Sequence, residues 1–174
     1  MSAYNEMIDT CNKAIEKNPN NVDAYSARGL VYFTSGQYDA AISDFSRVIK
    51  IDSNNAKAYK HRALAYSRKE QWNLACTDFS KIIELDPNNA DAYGDRGFAY
   101  FRMNQFKETI SDFSRAIALG SKNPDAYYIR GDAYRRTNQL DLACADLEKV
   151  LQLNPEHKGA VASLNAAKAV MDLS

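Results

Sequence analysis

The sequence has no long hydrophobic run and no excess of charge of either sign. Its 22 basic and 22 acidic residues give a formal net charge of zero, so no global charge recruits nucleic acid or an anionic membrane. The longest apolar runs are only a few residues, far short of a membrane-spanning helix. The opening residues, MSAYNEMIDT, lack the apolar stretch of a secretory signal. We therefore expect a cytoplasmic protein with no nucleic-acid partner and no membrane partner.

Cysteine and histidine are scarce as well. Cys11, Cys76 and Cys144 form no CxxC pair and have no histidine nearby, so we expect three small, buried apolar side chains in a reducing compartment. Neither His61 nor His157 has a metal-ligand neighbour at helical spacing. The sequence also lacks a glycine-rich phosphate loop and a nucleophile elbow. These absences predict a protein that is not an enzyme and uses no cofactor and no metal.

Four copies of one unit make up most of the chain. The unit VDAYSARGLVYFTSGQYDAAISDFSRVIKIDSNN occupies residues 22–55, and related copies follow at 56–89, 90–123 and 124–157. A fixed period of this length is typical of stacked repeat arrays, in which each unit buries its apolar face against its neighbours. A hydrophobic content of 45% is sufficient for the core of such an array.

Each copy is predicted to be two antiparallel helices, named A and B in chain order. Apolar residues of the first copy recur three and four residues apart in two blocks, and Gly36 separates the blocks. Pro87 and Pro155 end the second block in later copies, because proline cannot continue a helix. Small residues recur where the two helices must approach closely, at Gly29, Ala63, Gly97 and Gly131 of helix A and at Ala41, Ala75, Thr109 and Ala143 of helix B.

One pair of columns joins an arginine on helix A to an aspartate on helix B, always 16 residues later. The arginine column lies between the tyrosine column and the small-residue column, so it should face helix B of its own repeat. We interpret these pairs as partly buried, bidentate ion pairs that hold each repeat together and do not bind ligand. The pairs are Arg28 with Asp44, Arg62 with Asp78, Arg96 with Asp112, and Arg130 with Asp146.

The period, the tyrosine and small-residue columns and the terminal proline resemble the tetratricopeptide repeat (TPR) family. The resemblance covers residues 22–157, with Thr109 in place of an alanine and Ser53 and Ser121 in place of proline. It implies an all-α fold, a right-handed superhelix of helix pairs. It also implies that the A helices line a concave groove that binds peptides or partner domains.

Half a repeat precedes the four copies and another half follows them, within a single predicted domain over 1–174. Residues 2–19 match helix B alone, and residues 158–173 match helix A alone, as a capping helix. The opening helix leaves apolar surface at Tyr4, Met7 or Cys11 uncovered. Two explanations stay open: the chain is cut from a longer array, or the terminal helix of another copy fills the vacancy.

The predicted binding surface is the concave groove, lined by the face of the A helices opposite their tyrosine columns, which we call the outward face. It combines an apolar strip with a ladder of basic residues, which suits a ligand with apolar anchors and acidic groups. Arg135 and Asp132 lie on the same face. The candidate residues are Leu30, Phe33, Lys60, Leu64, Arg68, Phe98, Phe101, Arg102, Tyr128 and Arg136.

One known use of the family's groove does not fit this sequence. Members that hold acidic chaperone tails use a lysine and an asparagine four residues apart, then an asparagine, then a Lys-Arg pair on successive A helices. Here the first pair is Ser26 and Leu30, or Lys60 and Leu64 one repeat later. We therefore expect a scaffold for an unidentified protein or peptide; the alternative is a self-assembling repeat protein, such as a homodimer whose terminal half-repeats pair between chains.

Overall fold

The computed structural model describes residues 3–172, and over that range it contains ten α-helices and no strand. Ser2 and Leu173, at the ends of the predicted first and last helices, lie outside the described residues. The helices are α1 (Ala3–Lys17), α2 (Val22–Thr34), α3 (Tyr38–Ile51), α4 (Ala56–Arg68), α5 (Trp72–Leu85), α6 (Ala90–Arg102), α7 (Phe106–Ala118), α8 (Pro124–Arg136), α9 (Leu140–Leu153) and α10 (Lys158–Met171). The all-α prediction of paired A and B helices is confirmed.

Every A helix begins at a side-chain cap supplied by the last residue of the preceding repeat. The side-chain Oδ1 atoms of Asn21 and Asn55 accept hydrogen bonds from the backbone N–H groups of Ala24 and Ala58, respectively, each at a distance of 3.0 Å. The cap satisfies a backbone donor that the helix itself leaves unpaired. Asn89 caps α6 in the same way, whereas Asn123 caps α8 by accepting from the backbone N–H of Asp125, two residues on. His157 accepts through Nδ1 from the N–H of Ala160 at the start of α10.

The turns between the A and B helices pass through the left-handed region of backbone space. Gly36 has a φ of 78°, and the matching residues Glu70, Asn104 and Asn138 have φ values of 57°, 59° and 60°. Glycine reaches this region without steric cost, and asparagine tolerates it better than most residues. Glu70 is the unusual member of this column.

The helices form two compact units, one ending at Pro87 and one beginning at Asn88. In the first, α1 packs on α2, α2 on α3, α3 on α4, and α4 on α5. In the second, α6 packs on α7, α7 on α8, α8 on α9, and α9 on α10. Successive neighbours thus supply most of the packing within each unit, as expected of a repeat protein.

The core of each unit lies where the A and B helices of one repeat approach each other. A Cβ atom at Gly29 would lie 2.9 Å from Cε1 of Phe45, and one at Gly131 would lie 3.1 Å from Cγ of Leu147. Such contacts leave no room for a larger side chain, which explains the small-residue column. The large residues that fill the space between the helices are the buried Phe45, Phe79, Phe113 and Leu147.

The cysteines only partly follow the sequence-based expectation. Cys76 is buried, whereas Cys11 and Cys144 are half-buried, and none of the three forms a disulfide. Cys11 lies on the face of α1 that no A helix covers, and Sγ of Cys144 lies 3.9 Å from Sδ of Met171 on α10. Throughout residues 3–172, the apolar stretches of the helices are too short to cross a bilayer.

Candidate functional site

In the first unit, the outward face of α2 and α4 carries the predicted site residues in two different environments. Leu30 is exposed over 38% of its surface, and Lys60 and Arg68 are exposed as well. Leu64 is half-buried. Phe33 is half-buried too, because its ring packs edge-on against Tyr38 at the start of α3, with the centroids 5.6 Å apart.

In the second unit, α6 and α8 present the corresponding residues. Phe98 is 40% exposed, and Arg102 and Arg136 are also exposed. Phe101 repeats the arrangement of Phe33, with its ring packed edge-on against Phe106 at a centroid distance of 5.9 Å.

Tyr128 is placed differently from the other candidates. Its ring lies against His157 at a centroid distance of 4.6 Å. Its hydroxyl oxygen would be only 2.7 Å from a Cβ atom built on Gly159. Tyr128 is therefore half-buried against the beginning of α10, which reduces the surface it offers to a ligand. Of the expected apolar strip, Leu30 and Phe98 are exposed. The aromatic rings of Phe33, Phe101 and Tyr128 are partly covered by contacts within the protein.

A charged cluster occupies the outward face of α8. Asp132 lies in the column that holds Leu30, Leu64 and Phe98 in the other repeats. Its Oδ1 accepts from Nε and Nη2 of Arg135 at 3.0 and 2.7 Å, and its Oδ2 accepts from Nε of Arg136 at 2.9 Å. Sequence reasoning placed these residues on one face but did not foresee a buried carboxylate among them.

Asp132 is ionised in this setting. Burial raises the pKa of its carboxyl, but the hydrogen bonds from Arg136 and Arg135 outweigh burial and hold the pKa below its usual value. The guanidinium of Arg136 lies over the rings of Phe106 and Phe101, 5.4 and 5.9 Å from their centroids. Both arginines are thus held by the carboxylate, and Arg136 is held by two aromatic faces as well.

The structure brings together the four predicted Arg–Asp pairs. In each pair, Nε and Nη2 of the arginine donate to the two oxygens of the aspartate at distances of 2.7 or 2.8 Å. Two flanking tyrosines face each guanidinium; for Arg28 these are Tyr25 and Tyr32, with centroid distances of 5.5 and 5.9 Å. The hydrogen bond to Asp78 raises the pKa of Arg62 against the effect of burial. These arginines are engaged inside the repeats and are not presented to solvent on the outward face.

A third bond of these arginines was not anticipated. Nη1 of Arg28 donates to Oδ1 of Asn12, and Nη1 of Arg62 donates to Oγ of Ser46 at 3.0 Å. Arg130 donates in the same way to Ser114. In each case the acceptor lies on helix B of the preceding repeat. The bonds of these arginines therefore extend beyond their own repeat, contrary to the expectation that each repeat satisfies them internally. The available signal was a polar column 16 residues before each arginine, at Asn12, Ser46, Ser80 and Ser114.

The face of α1 that would meet the A helix of its own repeat is open. Met7 is 52% exposed, and together with Glu6, Thr10 and Cys11 it lines a shallow depression. In the complete repeat that follows, the counterparts of Met7, Thr10 and Cys11 on α3, which are Ala41, Asp44 and Phe45, are buried. Over residues 3–172, no group of His, Cys, Asp and Glu side chains is arranged to hold a metal ion.

Comparison with known proteins finds the same repeat along most of the chain. Three family models match: "TPR repeat" at residues 31–70, and two described as "Tetratricopeptide repeat", one at residues 10–43 and 79–110 and one at residues 124–157. A segment of 46 residues is 39% identical to peptidyl-prolyl cis-trans isomerase PASTICCINO1 of Arabidopsis thaliana. That segment is 26% of this chain and 7% of the isomerase, so only a small part of that relative is represented here.

Several solved structures share the arrangement of helices. The MamA protein is 30% identical, with 87% of this chain and 83% of MamA covered and a TM-score of 0.84. YrrB, a TPR protein with an unusual peptide-binding site, is 22% identical over 93% of this chain and 84% of its own, with a TM-score of 0.82. The first TPR of Spaghetti (RPAP3), solved with the HSP90 peptide SRMEEVD, is 26% identical over 67% of this chain and 92% of its own, with a TM-score of 0.63.

Proposed function

The chain belongs to the tetratricopeptide repeat family, and on that premise we propose that it binds a peptide segment or a partner domain on the outward face of its A helices. The observation that carries the proposal is the exposure of large apolar side chains on that face in both units, Leu30 and Phe98. Exposed apolar surface beside charged residues is typical of a protein-binding site. Lys60, Arg68, Arg102 and Arg136 provide the charge.

The relatives support a peptide as the ligand. YrrB and the first TPR of RPAP3 both have peptide sites. The chaperone peptide of RPAP3 is not the ligand we propose for this chain. Ser26 and Leu30 stand where the lysine and asparagine of an acidic-tail clamp belong, and Leu64 occupies the asparagine position one repeat later. We propose instead a peptide that places an apolar side chain against Phe98.

The test is a selection of peptides on the intact chain, followed by binding measurements on variants. A displayed library of random twelve-residue peptides is enriched on the protein, and the affinity of the recovered peptides is measured by fluorescence anisotropy. Phe98→Ala should weaken binding by about tenfold, because removal of a buried aromatic anchor costs about 1–2 kcal/mol or more. Helicity should be unchanged, since Phe98 is exposed on the free protein.

Leu142→Ala is the matched control. Leu142 is a large apolar residue of the same unit, 49% exposed, but it lies on α9, a B helix. Its removal should leave peptide affinity unchanged. If Leu142→Ala weakens binding and Phe98→Ala does not, the binding surface is on the B helices and the proposal is wrong.

A second candidate function, self-association, is favoured by the uncovered face of α1. The occupant we propose is α10 of a second copy, because α10 has the sequence pattern of an A helix. Complete repeats oppose a small residue on helix A with a large one on helix B, such as Gly29 with Phe45. In the same two columns, Asn165 of α10 is larger than glycine and Cys11 of α1 is smaller than phenylalanine. The combined volume therefore suits a composite repeat built from two chains.

Two substitutions separate this candidate from the first. Met7→Glu places a charge on the open face of α1, and Val161→Glu places one on the exposed face of α10. By light scattering, the mass of the parent chain should rise with concentration, and each variant alone should be monomeric. An equimolar mixture of the two should form dimers and nothing larger, because each contributes one intact end. A parent mass that is constant across the concentration series excludes the second candidate.

A further inference from the structure

The fourth repeat departs from the others at one position of the outward face. Leu30, Leu64 and Phe98 occupy this column in the first three repeats, whereas Asp132 occupies it in the fourth. Asp132 is only 6% exposed. A buried carboxylate in an otherwise apolar column is costly unless it is paired and hydrogen-bonded. Packing alone therefore does not explain an aspartate at this position.

The carboxylate of Asp132 holds two arginines. Arg135 reaches Oδ1 with Nε and Nη2, and Arg136 reaches Oδ2 with Nε. Oγ of Ser163, on α10, lies 3.4 Å from Oδ1. Arg136 is also stacked over Phe106 and Phe101. The positions of both guanidiniums are thus set before any ligand arrives, which lowers the entropy cost of binding.

Both arginines keep hydrogen-bond donors for a ligand. Nη1 of Arg135 and both terminal nitrogens of Arg136 make no hydrogen bond within the part of the chain that the structure describes. The side chains of Arg135 and Arg136 are 30% and 45% exposed. Two guanidiniums against one carboxylate leave a net positive charge, so the cluster attracts a further anion. A planar guanidinium matches a carboxylate in shape and in hydrogen-bond geometry.

We propose that Arg135 and Arg136, positioned by Asp132, form a subsite for the carboxylate of an Asp or Glu side chain in the bound peptide. The inference rests on the proposed peptide-binding function and adds a chemical preference to it. The neighbouring Phe101, under Arg136, provides an apolar surface beside the charge. The preferred peptide therefore has an acidic residue close to an apolar one.

The experiment compares acidic peptides with their amide counterparts. Random twelve-residue peptides are selected on the intact chain, and each enriched acidic residue is then replaced by Asn or Gln in a labelled synthetic peptide. We expect enrichment of Asp or Glu and a loss of affinity of about tenfold or more when the acid becomes an amide, because a charge-assisted bond is lost. The effect should shrink as salt is raised.

Variants assign the effect to the cluster. Arg135→Gln with Arg136→Gln removes the donors but strands the buried Asp132, so the triple variant that adds Asp132→Leu is made as well. This change restores the leucine that the first two repeats have in that column. The triple variant should bind the acidic and the amide peptide equally. The control Lys107→Gln with Lys149→Gln, on α7 and α9 of the same unit, removes two exposed positive charges and should preserve the preference.

The outcomes separate the two proposals. Peptides that bind with no acidic preference, or a triple variant that keeps the preference, overturn the carboxylate subsite and leave the peptide-binding function standing. A control variant that loses the preference shows that overall charge, and not the cluster, selects acidic peptides, and this also overturns the subsite. A selection that enriches no peptide overturns both proposals.

Discussion

At the residue scale, the stability of the repeats depends on buried ion pairs with their bonds satisfied. Arg62 donates to both oxygens of Asp78 and to Ser46, and the Asp78 side chain is 3% exposed. Every buried polar side-chain atom among the described residues has a hydrogen-bond partner. Such pairs add little when compared with an apolar replacement, but breaking one partner leaves a charge in a site that water does not reach.

Arg62→Met should therefore destabilise the chain by about 3 kcal/mol, because it strands Asp78. The double variant Arg62→Met with Asp78→Asn should cost less than the sum of the two single changes, since no charge is left unpaired. Urea unfolding followed by circular dichroism measures the differences. Additive effects of the two changes would contradict an energetic role for the pair.

His61 makes the stability of the fold depend on pH. Its ring stacks on Phe45 at a centroid distance of 5.4 Å. Burial lowers the pKa of His61, and the positive charges of Lys60 and Lys57 lower it further. The folded state therefore holds the proton less tightly than the unfolded state, whose ordinary value is about 6.5. The stability due to neutral His61 is complete above that pH and is lost as the pH falls below it.

His61→Phe should reduce the fall in stability between about pH 7.5 and 5.5, because the ring remains stacked but no longer takes up a proton. Lys60→Gln should also reduce the fall, since it removes one of the charges that lower the pKa. Midpoints of urea unfolding across this pH range provide the measurement. A parent chain whose midpoint does not change over the range would show that the environment of His61 does not affect folding.

At the element scale, each repeat depends on a tight connection between its A and B helices. The connection uses one residue in the left-handed region, which is Gly36 in the first repeat and Glu70 in the second. The rest of the connection is alike in the two turns. The backbone N–H groups of Gln37 and Gln71 donate to the carbonyl oxygens of Tyr32 and Tyr66 at distances of 2.8 and 2.9 Å, respectively. The backbone strain thus differs between two otherwise similar turns.

Glu70→Gly should stabilise the chain by about 1 kcal/mol, because glycine adopts a φ of 57° without a steric penalty. Gly36→Ala, in the matching turn, should destabilise it by a similar amount, although no atom lies within 4 Å of the added Cβ. Thermal unfolding of the two variants beside the parent compares them directly. Destabilisation by Glu70→Gly would mean that the glutamate side chain contributes more than the strain costs.

At the scale of the whole molecule, the protein is a chain of similar elements whose ends are less supported than their equivalents inside. In the first unit, α3 packs against both α2 and α4, whereas α1 packs against α2. Free energy of local opening follows the apolar contacts that an element makes. The α1 helix should therefore open more readily than α3, its counterpart in the next repeat.

Hydrogen exchange followed by mass spectrometry tests this difference. Backbone amides of α1 should exchange faster than those of α3 by about tenfold or more, because opening α1 disrupts one interface instead of two. If self-association covers α1, its protection should increase with protein concentration while that of α3 does not. Equal exchange in the two helices at low concentration would contradict the prediction.

The repeats, the ten helices and the partners of the four buried arginines were predicted from the sequence. A strict period places equivalent residues in equivalent surroundings, so a pattern such as Arg28 with Asp44 repeats in space when it repeats in sequence. The three-and-four spacing of apolar residues determines which face of each helix is buried. That the four repeats form a single domain over 1–174 stays a prediction, as does the binding role of the outward face.

The tertiary structure decided what happens where the pattern is broken. Asp132 and Tyr128 lie on the outward face of α8, as Leu30 does on that of α2, but α10 packs against α8, which buries the carboxylate and half-buries the ring. Contacts from Arg28 to Asn12 and from Phe33 to Tyr38 join residues of different helices. Helical period assigns a residue to a face, because it depends only on local geometry. How much of that face stays open depends on the neighbouring helices, and only their packing determines it.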